Sequence, residues 1–245
     1  MKALILAGGR GKRLNECSDS QNKCMLRLGG KPIIEFGLDC AANIAEIDEI
    51  IVVVGYQAEK IINNYGIGYK GKRIRYVIQL EQRGLVHAIE CSKDALGNDD
   101  FMLLLGDEIL ANPRHRQMID EFEREHLFGV CGVVAAEDRN RIHRTYAIIQ
   151  GDEDRIYRLI EKPRKPLNEW MGTGNCVFRN AILSYIDRTP INQERGEKEL
   201  PDLIQCAVDE GNAVMSFVIC DWYTNINSLD DLREAEVYFG LQAAS

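Results

Sequence analysis

The sequence lacks the features that mark extracellular, membrane-spanning and nucleic-acid-binding proteins. Its eight cysteines are scattered, with no C-x-x-C pair and no histidine at zinc spacing, so we expect reduced thiols, mostly in the core. No apolar run approaches the roughly 20 residues that cross a bilayer. A strand-like segment follows Met1-Lys2 directly, so no signal peptide is expected. Because 38 acidic residues outnumber 30 basic ones, the net charge of −8 offers no general attraction to nucleic acid or anionic membranes. We therefore expect a cytoplasmic protein that binds neither nucleic acid nor membranes.

The chain also lacks repeats, low-complexity stretches and recognisable linkers. A length of 245 residues allows a sizeable core, and α/β folds of this size often form one domain. The apolar share of 45% and the charged share of 28% are ordinary for a globular protein. We predict a single domain over residues 1–245, whose halves, 1–110 and 111–245, differ in pattern.

Apolar, strand-like runs alternate with helical patterns in the first half, which is typical of a parallel sheet with helices on both faces. Strands are predicted at Ala3 to Ala7, Glu49 to Val54, Ile74 to Gln79 and Phe101 to Leu105, and helices at about 33–44, 59–64 and 84–95. The second half has strand-like runs with few helices between them, which indicates a mixed sheet. Its strands are predicted at 128–135, 146–150, 156–161, 173–178 and 214–219, and a C-terminal helix at 229–242.

A glycine-rich turn loaded with cations, Gly8-Gly9-Arg10-Gly11-Lys12-Arg13, follows the first strand. Glycines allow the backbone to approach a ligand, and the cations add charge, so the turn is a candidate phosphate cradle. A Walker A loop is excluded, because Arg13 stands where that loop needs Ser or Thr after Gly-Lys. A dinucleotide-binding turn is disfavoured, since charged residues replace its third glycine. A solvated strand-to-helix turn remains an alternative.

Asp107 follows the strand Phe101 to Leu105 and Gly106. Ligands of parallel sheets bind at the carboxyl ends of the strands, so this carboxylate and the glycine-rich turn are expected at the same edge. There Asp107 could hold a divalent cation bound to phosphate oxygens, or it could simply cap the next segment.

Three segments together, LAGGRGKRL, KCML and GKPII, resemble the opening signature of the sugar-phosphate nucleotidylyltransferases. The resemblance implies a Rossmann-like fold of the nucleotide-diphospho-sugar transferase type, with a mixed, mostly parallel sheet. It makes 1–110 the nucleotide-binding half and 111–245 the sugar-phosphate-binding half. Lys12 departs from the family, which usually has Thr or Ser there. By this resemblance, Arg13 and Lys23 would be catalytic, and the nucleotide would contact Leu6, Ala7, Gly8, Gly9, Gly11 and Lys12.

The same resemblance makes Asp107 the ligand of Mg²⁺, the one cofactor expected, with Glu108 a weaker candidate. A second ligand would come from DWYTNINSLDDL (221–232), which resembles the family's closing motif. Asn227 and Asn225 match two forms of that motif, and we favour Asn227. An Asn carbonyl is a suitable hard-oxygen ligand but carries no charge.

The segment IQLEQRGLVHA resembles the part of the family that binds the nucleobase, through Gln79, Gln82 and Gly84. A Gln amide donates and accepts at once, which suits the edge of uracil or thymine. His87 is expected to be a packing or surface residue.

On the sugar side, the resemblance implies contacts from the E-K-P motif, from RTYAII and MGTGNCVF, and from EKELPD. The residues implied are Tyr146, Glu161, Lys162, Gly174, Asn175 and Glu199, with Lys162 also catalytic through the phosphate of the sugar. Ala147 stands where relatives usually have Gly. The basic residues Arg139, Arg141, His143 and Arg144 are predicted to form a solvated surface.

Together these residues imply transfer of a nucleotidyl group from a nucleoside triphosphate, UTP or dTTP by preference, to a hexose 1-phosphate. Three alternatives stay open: a CTP-dependent enzyme acting on a sugar phosphate or phosphocholine, a non-catalytic nucleotide-sugar sensor and, least favoured, a nicotinamide oxidoreductase. The partners expected are the two substrates, with a homo-oligomer as a further option.

Overall fold

The computed structural model describes residues 1–9 and 22–241. Its strands are β1 (Lys2–Ala7), β2 (Arg27–Leu28), β3 (Lys31–Pro32), β4 (Glu49–Val54), β5 (Gly68–Tyr69), β6 (Lys72–Ile78), β7 (Phe101–Leu105), β8 (Glu108–Ala111), β9 (Gly129–Ala135), β10 (Tyr146–Gln150), β11 (Ile156–Glu161), β12 (Trp170–Phe178), β13 (Ile191–Asn192), β14 (Glu197–Lys198), β15 (Val214–Val218) and β16 (Trp222–Asn225). Its α-helices are α1 (Ile34–Ala42), α2 (Ala58–Tyr65), α3 (Leu85–Cys91), α4 (Lys93–Leu96), α5 (His115–Arg124), α6 (Leu200–Asp209) and α7 (Leu229–Tyr238). Short 3₁₀-helices lie at Lys23–Met25, Arg139–Arg144, Asp152–Asp154 and Asn180–Arg188.

A ten-stranded mixed sheet forms the centre of the molecule, with the order β11-β10-β12-β7-β1-β4-β6-β5 and with β9 pairing both β12 and β15. The strands β6, β4, β1 and β7 run parallel, so their carboxyl ends lie along one edge. Beyond β7 the sheet turns antiparallel at β12. The mixed sheet predicted from the sequence is confirmed.

Alternation along β1 shows how the sheet is buried on both faces. Ala3, Ile5 and Ala7 pack with α1, α2 and α5, whereas Leu4 and Leu6 pack with α3, α4 and α6. Burying a Leu or Ile side chain contributes about 1.5–3 kcal/mol, so both layers stabilise the sheet. The prediction of helices on both faces is confirmed.

Several elements have the bounds predicted from the sequence, among them β4, β7, β10 and β11. The helix predicted at about 84–95 is instead divided at Ser92, whose hydroxyl donates to the Ala88 carbonyl at 2.9 Å. The prediction of few helices in the second half is wrong, because α5, α6 and the 3₁₀-helix at 180–188 lie there. Of the helices in the described ranges, none has the length and apolar character to cross a membrane.

Candidate functional site

The carboxyl ends of β1, β6 and β7 open into a cavity of about 750 Å³. Its walls come from both halves of the chain, because β10, β11, β12 and the segments around β14 and β16 complete it. The predicted site residues that line it are Leu6, Gly8, Gly9, Lys23, Gln79, Gln82, Gly84, Asp107, Tyr146, Glu161, Lys162, Gly174, Glu199 and Asn227. Residues assigned to the nucleotide and residues assigned to the sugar phosphate therefore share one cavity.

Five further residues were predicted for the site. Gly11, Lys12 and Arg13 lie outside the described residues. Ala7 is buried, and its carbonyl accepts a hydrogen bond from Asn22 Nδ2 at 3.3 Å. The fifth is Asn175, described below.

Lys23 lies between the two residues predicted to hold the metal. Its ammonium forms an ion pair with Asp107 and donates to Asn227 Oδ1 at 3.2 Å. The side chains of Lys23 and Asp107 are only 11% and 18% exposed, so the pair is largely removed from water. The backbone also joins the two segments, since Ile226 N donates to the Asp107 carbonyl at 2.9 Å.

The oxygen atoms at this end of the cavity fit a hard divalent cation. Oxygen atoms of Asp107 and Asn227 already contact the positively charged ammonium of Lys23. Asn225 Oδ1, also on the cavity wall, is buried and has no hydrogen-bond partner within residues 1–9 and 22–241. The same ranges hold no cluster of three or more His, Cys, Asp or Glu that could bind a metal alone. Mg²⁺ is usually held by one or two carboxylates together with substrate phosphates, which is the donor set available here.

Asp231 fixes the position of Asn227. Its Oδ2 accepts from Asn227 N at 2.9 Å and from the backbone and hydroxyl of Ser228, both at 2.8 Å, as the capping box of α7. Its Oδ1 faces Arg144 at 3.0 Å. The loop that carries Asn227 is therefore held at both ends, by the helix cap and by the Asp107 backbone.

The prediction that the basic segment 139–144 is only a solvated surface is wrong for Arg141 and His143, which are half-buried, whereas the Arg144 side chain is 67% exposed, as predicted. Arg141, His143 and Arg144 line the cavity, and Arg141 also donates to the Tyr223 carbonyl at 3.2 Å. A buried residue, Ile142, anchors this 3₁₀-helix in the core. In the sequence, the single apolar residue Ile142 within this charged run was the sign that the segment packs against the core.

Glu108 is a buried cross-link rather than an exposed metal ligand. It accepts from Gly174 N at 2.9 Å, from Asn175 Nδ2 at 2.7 Å and from the Tyr223 hydroxyl at 2.6 Å. Burial raises the pKa of this carboxyl to about 8, although the donors oppose the shift. The contacts join β8, β12 and β16, the strands that carry sugar-side and metal-side residues.

We expect Glu108→Ala to lower the free energy of unfolding by about 3 kcal/mol or more, because it leaves several buried donors without a partner. Glu108→Gln keeps the shape and one acceptor oxygen, so its loss should be smaller. Urea unfolding of both variants and the wild type provides the measurement. A loss below about 1 kcal/mol for Glu108→Ala would contradict the cross-link.

Asn175 requires a correction to its predicted role. Its side chain donates to Glu108 and contacts His115 Nε2 through Oδ1 at 2.7 Å. It lines a second cavity of about 220 Å³ on the other side of Glu108, not the large one. Because it is 2% exposed and fully engaged, we assign it to the support of Gly174 and Glu108 instead of to sugar-phosphate contact.

The two glutamines form a compact group beside the glycine-rich edge. Gln79 Nε2 donates to the Gly84 carbonyl at 3.1 Å and lies 3.1 Å from His87 Nδ1, while Gln82 Nε2 donates to the Gln79 carbonyl at 3.2 Å. A Cβ on Gly8 would lie 2.9 Å from Gln79 Oε1, so a larger residue there would displace the end of the Gln79 side chain. His87 therefore supports Gln79 as a packing residue.

On the opposite wall, two carboxylates and two cations face one another. Arg195 Nη1 lies 3.1 Å from Glu161 and 2.8 Å from Glu199, and Lys162 Nζ lies 3.1 Å from Glu161. Glu197, next to Arg195 on the same hairpin, also lines the cavity. Sequence reasoning missed Arg195 and Glu197, although the charged run ERGEKE with its glycine turn was a usable signal.

Glu199 should make stability depend on pH. Burial, with repulsion from Glu161, raises its pKa from 4.5 to about 7. The protonated Glu199 carboxyl therefore stabilises the folded state fully below pH 4.5, and this stabilisation is lost as the pH rises to about 7. In that interval the carboxyl of Glu199 ionises readily only in the unfolded state. We expect Glu199→Gln to remove about 1–3 kcal/mol of this decline between pH 5 and 8, measured by urea unfolding. An identical pH slope in both proteins would contradict it.

A model of the nucleotidyl transferase family matches residues 2–239. The chain is 32% identical over 237 residues to the UTP–glucose-1-phosphate uridylyltransferase AglF of Haloferax volcanii, covering 96% of this chain and 95% of that protein. It is 30% identical over 237 residues to a glucose-1-phosphate thymidylyltransferase of Streptomyces griseus, covering 96% of this chain but 64% of that protein. The fold is that of a UDP-glucose pyrophosphorylase solved with UDP-glucose, with a TM-score of 0.85, 17% identity and 98% coverage of both chains.

Proposed function

The chain belongs to the nucleotidyl transferase family, and from this membership we propose that it transfers a nucleotidyl group from a nucleoside triphosphate to a hexose 1-phosphate, releasing pyrophosphate. The observation that carries the proposal is one cavity with a cation and carboxylate pair at each end. Lys23 and Asp107 lie at the glycine-rich edge, and Lys162 and Glu161 lie across from them. The relatives are named as glucose-1-phosphate uridylyl- and thymidylyltransferases, so hexose 1-phosphates and pyrimidine nucleotides are the substrates to test first.

The arrangement suits an attack by a sugar phosphate oxygen on the α-phosphorus of the nucleotide. A phosphate monoester is already an ionised nucleophile, so positioning and charge neutralisation suffice and no general base is needed. Lys162 and Arg195 would hold the phosphate of the sugar, while Glu161 and Glu199 would accept its hydroxyls. Lys23 would face the phosphates of the nucleotide beside Gly8 and Gly9.

Mg²⁺ is the cofactor we propose, held by Asp107 and by Asn227 or Asn225. When bound, it would neutralise charge on phosphate oxygens. The base would lie against Gln79 and Gln82, whose amides suit a pyrimidine, so UTP or dTTP is the expected donor. We also propose a cytoplasmic location, which accords with the seven free cysteines of the described ranges.

Pyrophosphate release tests the proposal. The assay combines Mg²⁺, five nucleoside triphosphates and a panel of sugar 1-phosphates, with phosphocholine as an additional acceptor. Release confined to a pyrimidine nucleotide with one hexose 1-phosphate is the expected result. Release only with CTP and phosphocholine would replace the proposal with a cytidylyltransferase, and nucleotide-sugar binding without release from any pair would replace it with a sensor.

A further inference from the structure

We infer that the Lys23 ammonium occupies the divalent-cation site of the free protein, so that a metal ion binds at Asp107 only after this side chain has moved away. The inference rests on the proposed function, since it concerns the cation site of that reaction. It adds an order of events: the nucleotide displaces Lys23, and the metal enters with it.

Lys23 and the metal would use the same oxygen ligands. The Lys23 ammonium contacts an Asp107 carboxylate oxygen and Asn227 Oδ1, two of the oxygens proposed to hold the metal. An ammonium has only donors, so it uses the lone pairs that a cation needs. Because the two side chains in the ion pair are 11% and 18% exposed, little water is present to screen one positive charge from another. Lys23 and a metal ion would therefore compete for these oxygens.

The backbone of Lys23 is fixed beside the end of β1, where the nucleotide is proposed to bind. Lys23 begins a 3₁₀-helix capped by Asn22, whose Oδ1 accepts from Cys24 N at 2.9 Å. Asn22 Nδ2 donates to the carbonyls of Tyr56 at 2.7 Å and Ala7 at 3.3 Å. Asn22 is fully buried, so the backbone of Lys23 is fixed beside the end of β1. Only the long side chain has to swing for the ammonium to leave Asp107.

The phosphates of the nucleotide would compete with Asp107 for the Lys23 ammonium. Gly8 and Gly9 follow β1 directly and line the same cavity as Lys23. Phosphates placed there offer the ammonium several charged oxygens in exchange for one carboxylate and one amide. Any ligand that draws Lys23 away from Asp107 raises the affinity for the metal, and by linkage the metal raises the affinity for that ligand.

Mn²⁺ binding to the nucleotide-free protein, followed by the electron paramagnetic resonance of free Mn²⁺, tests the inference. Lys23→Met should bind Mn²⁺ at least about tenfold more tightly than the wild type, because a competing charge is removed. Lys162→Met, an identical change of charge in the same cavity but paired with Glu161, should change the affinity by less than about threefold. The gain should disappear in the double variant Lys23→Met, Asp107→Asn.

Equal or weaker Mn²⁺ binding by Lys23→Met would overturn the inference, and so would an equal gain in Lys162→Met. Circular dichroism checks that the variants fold, and Lys23→Gln replaces Lys23→Met if the latter does not. The assay of pyrophosphate release is scored separately on the wild type. A gain of Mn²⁺ affinity without transferase activity rejects the proposed function alone, whereas activity without the gain rejects this inference alone.

Discussion

Asp107→Asn is expected to lower kcat by about 10²- to 10³-fold, the range found when one electrostatic contact to a transition state is removed. The side chain keeps its shape and loses its charge, so the cavity remains while the ion pair with Lys23 is lost. No other carboxylate is free to replace it at this end, among the residues that the structure describes, because Glu108 and Asp231 are engaged with Gly174, Tyr223, Asn227 and Ser228. Steady-state kinetics with saturating substrates provide the measurement.

Asp187→Asn is the matched control for this variant. Asp187 is exposed and lies on the 3₁₀-helix at 180–188, away from the residues that line the cavity. It should leave kcat within about twofold, since exposed substitutions have small effects. If Asp107→Asn retained more than a tenth of the wild-type kcat, Asp107 would not be part of the catalytic machinery.

Lys162→Met is expected to raise the KM for the sugar 1-phosphate by about 10- to 100-fold and to change the KM for the nucleotide much less. A hydrogen bond to a charged group contributes about 1.5–3 kcal/mol, and each 1.4 kcal/mol corresponds to a factor of ten. Lys162 has a φ of 41°, and its N–H donates to the Thr145 carbonyl at 2.8 Å, so the backbone aims this side chain at the sugar end. Varying each substrate separately provides the measurement.

Lys165→Met controls for the loss of a lysine from the same loop. Lys165 is exposed and is not among the residues lining the cavity, so both KM values should stay within about twofold. Equal rises in the two KM values for Lys162→Met would show that the residue supports the whole cavity instead of the sugar phosphate.

Local patterns predicted much of the fold. The runs EIIVVV and FMLLL are long enough and apolar enough to be buried strands, and both have the predicted bounds. Helix α5 was missed because its sequence, HRQMIDEFER, buries only His115, Met118, Ile119 and Phe122 and is otherwise polar. A narrow apolar stripe in a charged segment becomes a helix through packing against the sheet, which a local pattern does not reveal.

The candidate site was predictable where a motif lies directly after a strand. Asp107 follows β7, and the glycines follow β1, so their common edge follows from the parallel sheet. Asn175 was misjudged because its neighbour Gly174 lines the large cavity, and successive side chains of a strand point to opposite faces. Arg195 was missed because its partners, Glu161 and Glu199, are brought to it by the hairpin β13–β14 and by β11.

The sequence by itself determined the alternation of strands and helices in the first half and the position of Gly8 and Gly9 directly after β1, because both follow from the preferences of neighbouring residues. Only the tertiary structure decided which polar groups meet. Lys23 reaches Asn227 across 204 positions, and Glu108 reaches Tyr223 across 115. Such contacts depend on the register of β8 against β16 and on the path of the loops, and these are set by the packing of the whole core.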